Sequence, residues 1–164
     1  MRAHPFRKAR GVAMLELAII LPLLLLLAFG ALEFALAISQ YKTLAVQVRI
    51  GARYLSSRVP GDAIGRAEAI CLVRTGQAGA APCAGTPVLP GLATATVTVE
   101  DAANSAAHKA QASDSSTYRV RVNLVTVKVS GFQYQPILGS FLSGLTGAST
   151  ITFGPVTATM RQVL

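Results

Sequence analysis

The chain has 164 residues, 52% of them apolar, and a formal net charge of +8. Its mean hydropathy of +0.50 is high for a soluble domain of this length, and the excess is concentrated near the N-terminus. Trp is absent and the basic residues beyond the first eleven are scattered, so the charge does not mark a nucleic-acid-binding patch.

Residues 1–11 form a short basic leader with Arg2, Arg7, Lys8 and Arg10 and no acid. Without it, 11 basic and 7 acidic residues remain, a net charge of +4. Positive charge ahead of a first membrane span keeps that end cytoplasmic. Leu17 to Ile38 then reads LAIILPLLLLLAFGALEFALAI, with Glu33 as its only charge. At ~1.5 Å per residue this run reaches ~33 Å, enough to cross a hydrocarbon core of ~30 Å. A cleaved secretory signal has a shorter apolar region of ~7–15 residues, so a retained anchor is expected over residues 12–38. Pro22 falls inside this helix and predicts a kink that neighbouring groups must accommodate. Gly30 and Ala31 give a thin patch for close helix contact. Glu33 lies near the outer end of the span, where two roles are open: a lipid-facing carboxylate reaching water, or an assembly contact.

After Ser39 the pattern becomes amphipathic. Tyr41, Leu44, Val48, Ala52 and Leu55 recur every three or four residues, with Lys42, Arg49 and Arg53 off that stripe. One helix from about Val12 to Ser57 is expected, with residues 39–59 as its amphipathic extension and Pro60-Gly61 as its stop. Residues 60–164 then form one small outer domain. A short helix is expected over Asp62–Val73, capped by Asp62 and sharing Ala63, Ala67, Ile70 and Cys71 on one face. The Gly-, Ala- and Pro-rich stretch after it reads as an irregular loop. Cys71 and Cys83 flank that loop on the external side, where oxidising conditions favour a disulfide. Two unpaired thiols are the alternative. His108 is the only external histidine, so no metal site is expected.

From Leu92 the period falls to two, with Ala93, Ala95, Val97 and Val99 alternating with polar residues as a half-buried strand. Residues 101–116 read as an exposed polar loop. Tyr118, Val120, Val122 and Leu124 begin a second strand whose apolar phase flips to Val125, Val127 and Val129. A bulge near Leu124-Val125, or cover on both faces, accounts for the flip. In residues 136–145, Ile137, Leu138, Phe141, Leu142 and Leu145 share a helical face, which covers the sheet or rests on a membrane or neighbouring subunit. In the last strand Ile151 and Phe153 give way to Val156, Ala158 and Met160 across Gly154-Pro155, which signals an edge or a bulge. The fold class is therefore α+β: a long N-terminal helix and a small antiparallel sheet domain. Nothing resembles an enzyme. There is no phosphate-cradling glycine motif and no HExxH, and Ser113, Ser115 and Ser116 sit in a linker-like run without a visible base. No cofactor is expected.

The wording RGVAMLELAIILPLLLLL, from Arg10 to Leu27, resembles the N-terminus of the TadE-like family, minor pseudopilins of tight-adherence (Flp-type) pilus systems. The shared features are the basic leader, Gly11, Glu16 and the early Pro22. One departure is Leu17, where the family often has Tyr or Phe. The resemblance implies cleavage by a prepilin peptidase after Gly11, with Val12 as the new N-terminus and Glu16 as the fifth mature residue. It implies that Glu16 pairs with a neighbouring subunit's N-terminus during assembly. The implied partners are the peptidase, other pilins or pseudopilins, inner-membrane pilus assembly proteins and the membrane itself. The implied location is a bacterial inner membrane, single-pass, N-terminus cytoplasmic and outer domain periplasmic, with incorporation into a surface pilus open. The alternative is a single-span anchored periplasmic binding module that keeps its leader.

Overall fold

The computed structural model describes residues 6–109, 111–112, 121–137, 139 and 150–162. It has the α+β layout expected of the sequence: a long apolar N-terminal helix, then a small antiparallel sheet domain. The chain divides into two compact units, Met1–Ile38 and Ser39–Leu164.

Helix α1 runs from Phe6 to Ser56 and passes through Pro22 without ending. It therefore starts inside the basic leader rather than at Val12. The residues there, Phe6 to Arg10, include good helix formers and no breaker. Pro22 has no N–H for the carbonyl of Ala18, so α1 lacks one backbone hydrogen bond there. In the first unit every side chain from Gly11 to Leu32 is exposed. Glu33 is different: it is only 7% exposed, not the open carboxylate that a lipid-facing position would give.

The second unit is built on the outer part of α1. Leu44, Val48, Ala52 and Leu55 are buried, as their spacing predicts. Tyr41 is not: it remains 45% exposed and touches the Phe153 ring edge-on, centroids 5.7 Å apart. The helix ends one residue short of the expected Ser57. Its last carbonyls are not left open. Ser56 Oγ and Ser57 Oγ donate to the carbonyls of Arg53 and Tyr54, and Gln162 Nε2 donates to those of Leu55 (3.3 Å) and Arg58 (2.7 Å).

Helix α2 (Ala63–Thr75) is capped by Asp62, whose side chain accepts from Ile64 N–H at 3.0 Å. Gly76 closes it in the left-handed conformation at φ 76°. Its buried face is Gly65, Ala69, Cys71 and Val73, rotated from the expected Ala63, Ala67, Ile70 and Cys71. Small residues decide this. Gly51 of α1 approaches Val73 and Ala69 so closely that a Cβ on Gly51 would lie 2.5 Å from Val73 Cγ2. Close packing outweighs burial of Ile64, which stays 71% exposed.

The irregular segment after α2 is tied by a Cys71–Cys83 disulfide, Cα–Cα 5.0 Å. Pro90–Leu92 form a 3-10 turn, so strand β1 begins at Thr96 rather than near Leu92. Strands β1 (Thr96–Glu100) and β6 (Val156–Gln162) flank the central β3 (Arg121–Ser130), both antiparallel. The short β2 (Gln111–Ala112) pairs with the other end of β3, inside what reads as loop in the sequence. The β3–β6 register runs unbroken from Asn123↔Gln162 to Val129↔Val156. No bulge re-phases β3. Val125, Val127 and Val129 face the core, and Val122 and Leu124 lie on the other face, half-buried.

The final stretch is two strands rather than one shifted strand. β5 (Ile151–Thr152) pairs with β4 (Gln133–Tyr134) in a separate ribbon, and β6 starts after Gly154-Pro155. Phe153 stacks on Phe132 and Tyr134, at centroid separations of 5.5 and 6.3 Å. Pro136 opens a turn closed by Gly139 N–H to its carbonyl, and Ile137 is 75% exposed. The rest of the expected helix, including Leu138, Phe141, Leu142 and Leu145, lies outside the described residues, as do Tyr118, Val120, Ser113, Ser115 and Ser116.

Candidate functional site

The candidate site is the N-terminal part of α1. Apolar side chains along residues 12–32 are exposed, among them Met14 (72%), Ile19 (70%) and Leu23 (61%). Gly11–Ser56 is long and apolar enough to cross a membrane, and none of its most apolar window is buried among the described residues. Exposure of that much apolar surface is stable only against lipid or other apolar helices.

Gly11 lies within α1 and is exposed. A Cβ built on it would meet nothing within 4 Å. Neither packing nor backbone conformation demands glycine there. In a helix interior glycine costs ~0.5–1 kcal/mol relative to alanine. Val12 follows, 60% exposed.

Glu16 is exposed and takes part in no ion pair among the described residues. A carboxylate in lipid costs up to ~2.5–3.5 kcal/mol at the bilayer centre. Its distance from Val12 is one helical turn, so a positive charge at that end of a helix can lie beside it.

Among the described residues the outer unit carries three polar clusters, and each reads as structural. Asp101, 2% exposed, accepts from the N–H groups of Gly61 (3.1 Å), Ala103 (2.9 Å) and Asn104 (3.2 Å). Arg66 Nε lies 3.7 Å from its Oδ2 and Arg66 Nη2 donates to the Gly61 carbonyl. This carboxylate locks the corner between α1 and α2 to the end of β1. The Tyr54 hydroxyl donates to Glu68 and accepts from Arg58, whose guanidinium also lies 3.4 Å from Glu68. The hydrogen bond to Glu68, followed by burial, holds the Tyr54 hydroxyl above its ordinary range; the Arg58 charge opposes that, only in part. His108 is held between Ser105 Oγ (2.8 Å) and Thr126 Oγ1 (2.7 Å), and Thr126 continues to Thr159 Oγ1 (2.7 Å). Serine and histidine meet here without a carboxylate to orient the ring, as a serine nucleophile would need. Among the described residues no group of three or more His, Cys, Asp and Glu could hold a metal ion.

The sequence alone pointed to none of these clusters. Asp101 with Asn104 is a local turn pattern and could have been found. Tyr54–Glu68, His108–Thr126 and Gln162–Arg58 join segments far apart in the chain, and no spacing signals them.

No characterised protein and no solved structure matches the chain. The family model described as TadE-like protein matches residues 11–53. The match starts at Gly11, covers the exposed apolar segment and continues into the outer part of α1; over these residues the chain is similar to TadE-like proteins.

Proposed function

We propose that the chain is a pseudopilin of a tight-adherence pilus system, made as a membrane-inserted precursor and cut after Gly11. The observation that carries this reading is the TadE-like match over residues 11–53, laid on a helix whose N-terminal apolar segment, residues 12–32, is exposed among the described residues. Residues 1–11 are the leader and stay in the cytoplasm with Arg2, Arg7, Lys8 and Arg10. Residues 12–38 span the inner membrane, residues 39–59 extend the helix, and residues 60–164 form the periplasmic domain.

A prepilin peptidase hydrolyses the Gly11–Val12 peptide bond. Water adds to the Gly11 carbonyl, the leader leaves with a C-terminal carboxylate, and Val12 gains an α-amino group. That ammonium is the ion-pair partner that Glu16 lacks among the described residues. Pairing Glu16 with the Val12 ammonium of a neighbouring subunit neutralises both charges in a low-dielectric setting, where such a contact is strong and specific. Pro22 loosens one backbone bond and lets the helix adjust as it packs among other pilins. The apolar surface then passes from lipid to neighbouring helices without exposure to water. The protein works through assembly with the peptidase, other pilins and inner-membrane assembly proteins, and carries out no catalysis of its own.

Substitution of Gly11 tests the reading. A Gly11→Leu chain should insert normally and accumulate as the full-length precursor, with piliation lost. Normal trimming of that variant, or piliation at the wild-type level, would overturn the proposal and favour a membrane-anchored binding module that keeps its leader.

A further inference from the structure

The outer part of α1 has two opposed faces. Leu44, Val48, Gly51, Ala52 and Leu55 face the core of their unit. At ~100° per residue, Lys42, Arg49 and Arg53 fall within ~40° of one another, well away from that face, with Val46 and Ile50 beside them. All five are exposed; Val46 is 50% and Ile50 41%. The stripe from Lys42 to Arg53 is ~16 Å long at ~1.5 Å per residue.

The three cations are uncompensated. No acid occurs anywhere in residues 34–61. Among the described residues no ion pair reaches the side chains of Lys42, Arg49 or Arg53. Arg49 and Arg53 are a like-charged pair at i,i+4, which destabilises a helix by a few tenths of a kcal/mol. Two aliphatic side chains exposed beside three cations that make no ion pair among the described residues form a mixed basic and apolar stripe.

We propose that this stripe is a docking face for a helix that presents carboxylates around an aliphatic seam, supplied by a different pilus component. Charge complementarity argues against a second copy as occupant. Asp62 caps α2, Glu68 is taken by Tyr54 and Arg58, and Asp101 is buried under Arg66. Glu100, on the sheet, is the one exposed acid among the described residues of this unit, and Glu16 on the apolar segment of α1 offers a single carboxylate against three cations. A lipid surface fits less well. Counted along α1, Lys42 lies ~6 Å past Ile38, but Arg49 and Arg53 lie ~16 and ~22 Å past it, two to three times the ~8 Å over which charges act at physiological ionic strength. Aliphatic anchors flanked by charges are also what a helix-in-groove contact uses. The pilus reading supplies only the source of the partner; the charge pattern stands without it.

The test is zero-length coupling with carbodiimide, which joins an amine to a carboxylate, on membranes holding the full chain and the other pilus components. Lys42 provides one amine, and the R49K and R53K variants add others along the stripe. Peptide mapping should place the adducts on Asp or Glu residues of a helix in another pilus protein. K42R should lower the Lys42 adduct at least tenfold, and I50E should lower the adducts of all three positions similarly. Adducts mapped to Glu100 of a second copy would overturn the proposal. So would no protein adduct at the stripe while Lys109 couples as the internal reactivity control, or adducts unchanged by I50E. Intact mass of the same samples separates this from the pseudopilin reading. A chain that still starts at Met1 defeats that reading, and the stripe is judged by its adducts either way.

Discussion

Gly91→Ala should cost the outer unit far more than its single added methyl group suggests. A Cβ at Gly91 would lie 2.3 Å from the Gln133 carbonyl oxygen and 2.8 Å from Phe132 Cε2. The first neighbour is backbone, held by the β4–β5 pairing, and the second is a fully buried ring stacked on Phe153. Neither can yield alone, so the 3-10 turn must move away from β4 or the aromatic stack must open. Overpacking of this kind costs ~1–3 kcal/mol. Alanine recovers ~0.4–1 kcal/mol by restricting the unfolded chain. The net loss should be ~1–2 kcal/mol, or ~4–10 °C in melting temperature for a unit of this size. Gly51→Ala is the internal control. Its nearest neighbour is the end of a side chain, Val73 Cγ2, and alanine improves helix propensity by ~1 kcal/mol, so the two effects largely cancel. The assay is thermal unfolding of the full chain in detergent followed by tyrosine fluorescence, which is free of Trp background. The reasoning fails if Gly91→Ala melts at or above the wild-type temperature, or if Gly51→Ala is the more damaging of the two.

Asp101→Ala leaves three backbone N–H groups and Arg66 without their acceptor in a buried corner. It should destabilise the unit by ~3–5 kcal/mol, read by the same melt, and a loss below 1 kcal/mol would contradict that role. Tyr54 is held neutral by its bond to Glu68, so its folded pKa lies above the unfolded value of 10.0. This contribution is fully present below pH 10 and is lost as pH rises through the folded pKa. Wild type should therefore lose stability above pH 10 more steeply than Tyr54→Phe; parallel curves would discount it. Reducing Cys71–Cys83, which closes a short loop across a separation of 12 residues, should cost ~3 kcal/mol of stability. An unchanged urea midpoint in reductant would mean the loop is held without it. Glu16→Ala should be trimmed at Gly11 and remain in the membrane yet fail to assemble, scored by surface pili; normal piliation would remove Glu16 from assembly.

What the sequence made legible was local. The apolar run, the stripe Leu44–Val48–Ala52–Leu55 and the cap at Asp62 each depend on residues within a few turns, and periodicity reads such patterns well. The face of α2 was misplaced because apolar spacing favoured Ile70 and Ala63, whereas fit against Gly51 selected Gly65, Ala69 and Val73. Steric fit between helices is not written in either helix alone. The phase flip at Leu124-Val125 suggested a bulge, but β6 pairs straight through it, and the second apolar face is simply half-covered. Asp101 and His108 looked like loop residues because their partners, Gly61 and Thr126, are remote in sequence. At the N-terminus the sequence offers Gly11, Glu16 and Pro22, and there the fold adds one physical point: among the described residues nothing lies within 4 Å of where a Cβ at residue 11 would sit.

The most direct measurement is the N-terminal residue of the membrane-extracted protein, by mass spectrometry, from cells with and without the prepilin peptidase. The account predicts a chain beginning at Val12 when the peptidase is present and at the intact leader when it is absent. An intact leader in both samples, or a cut elsewhere, would contradict it.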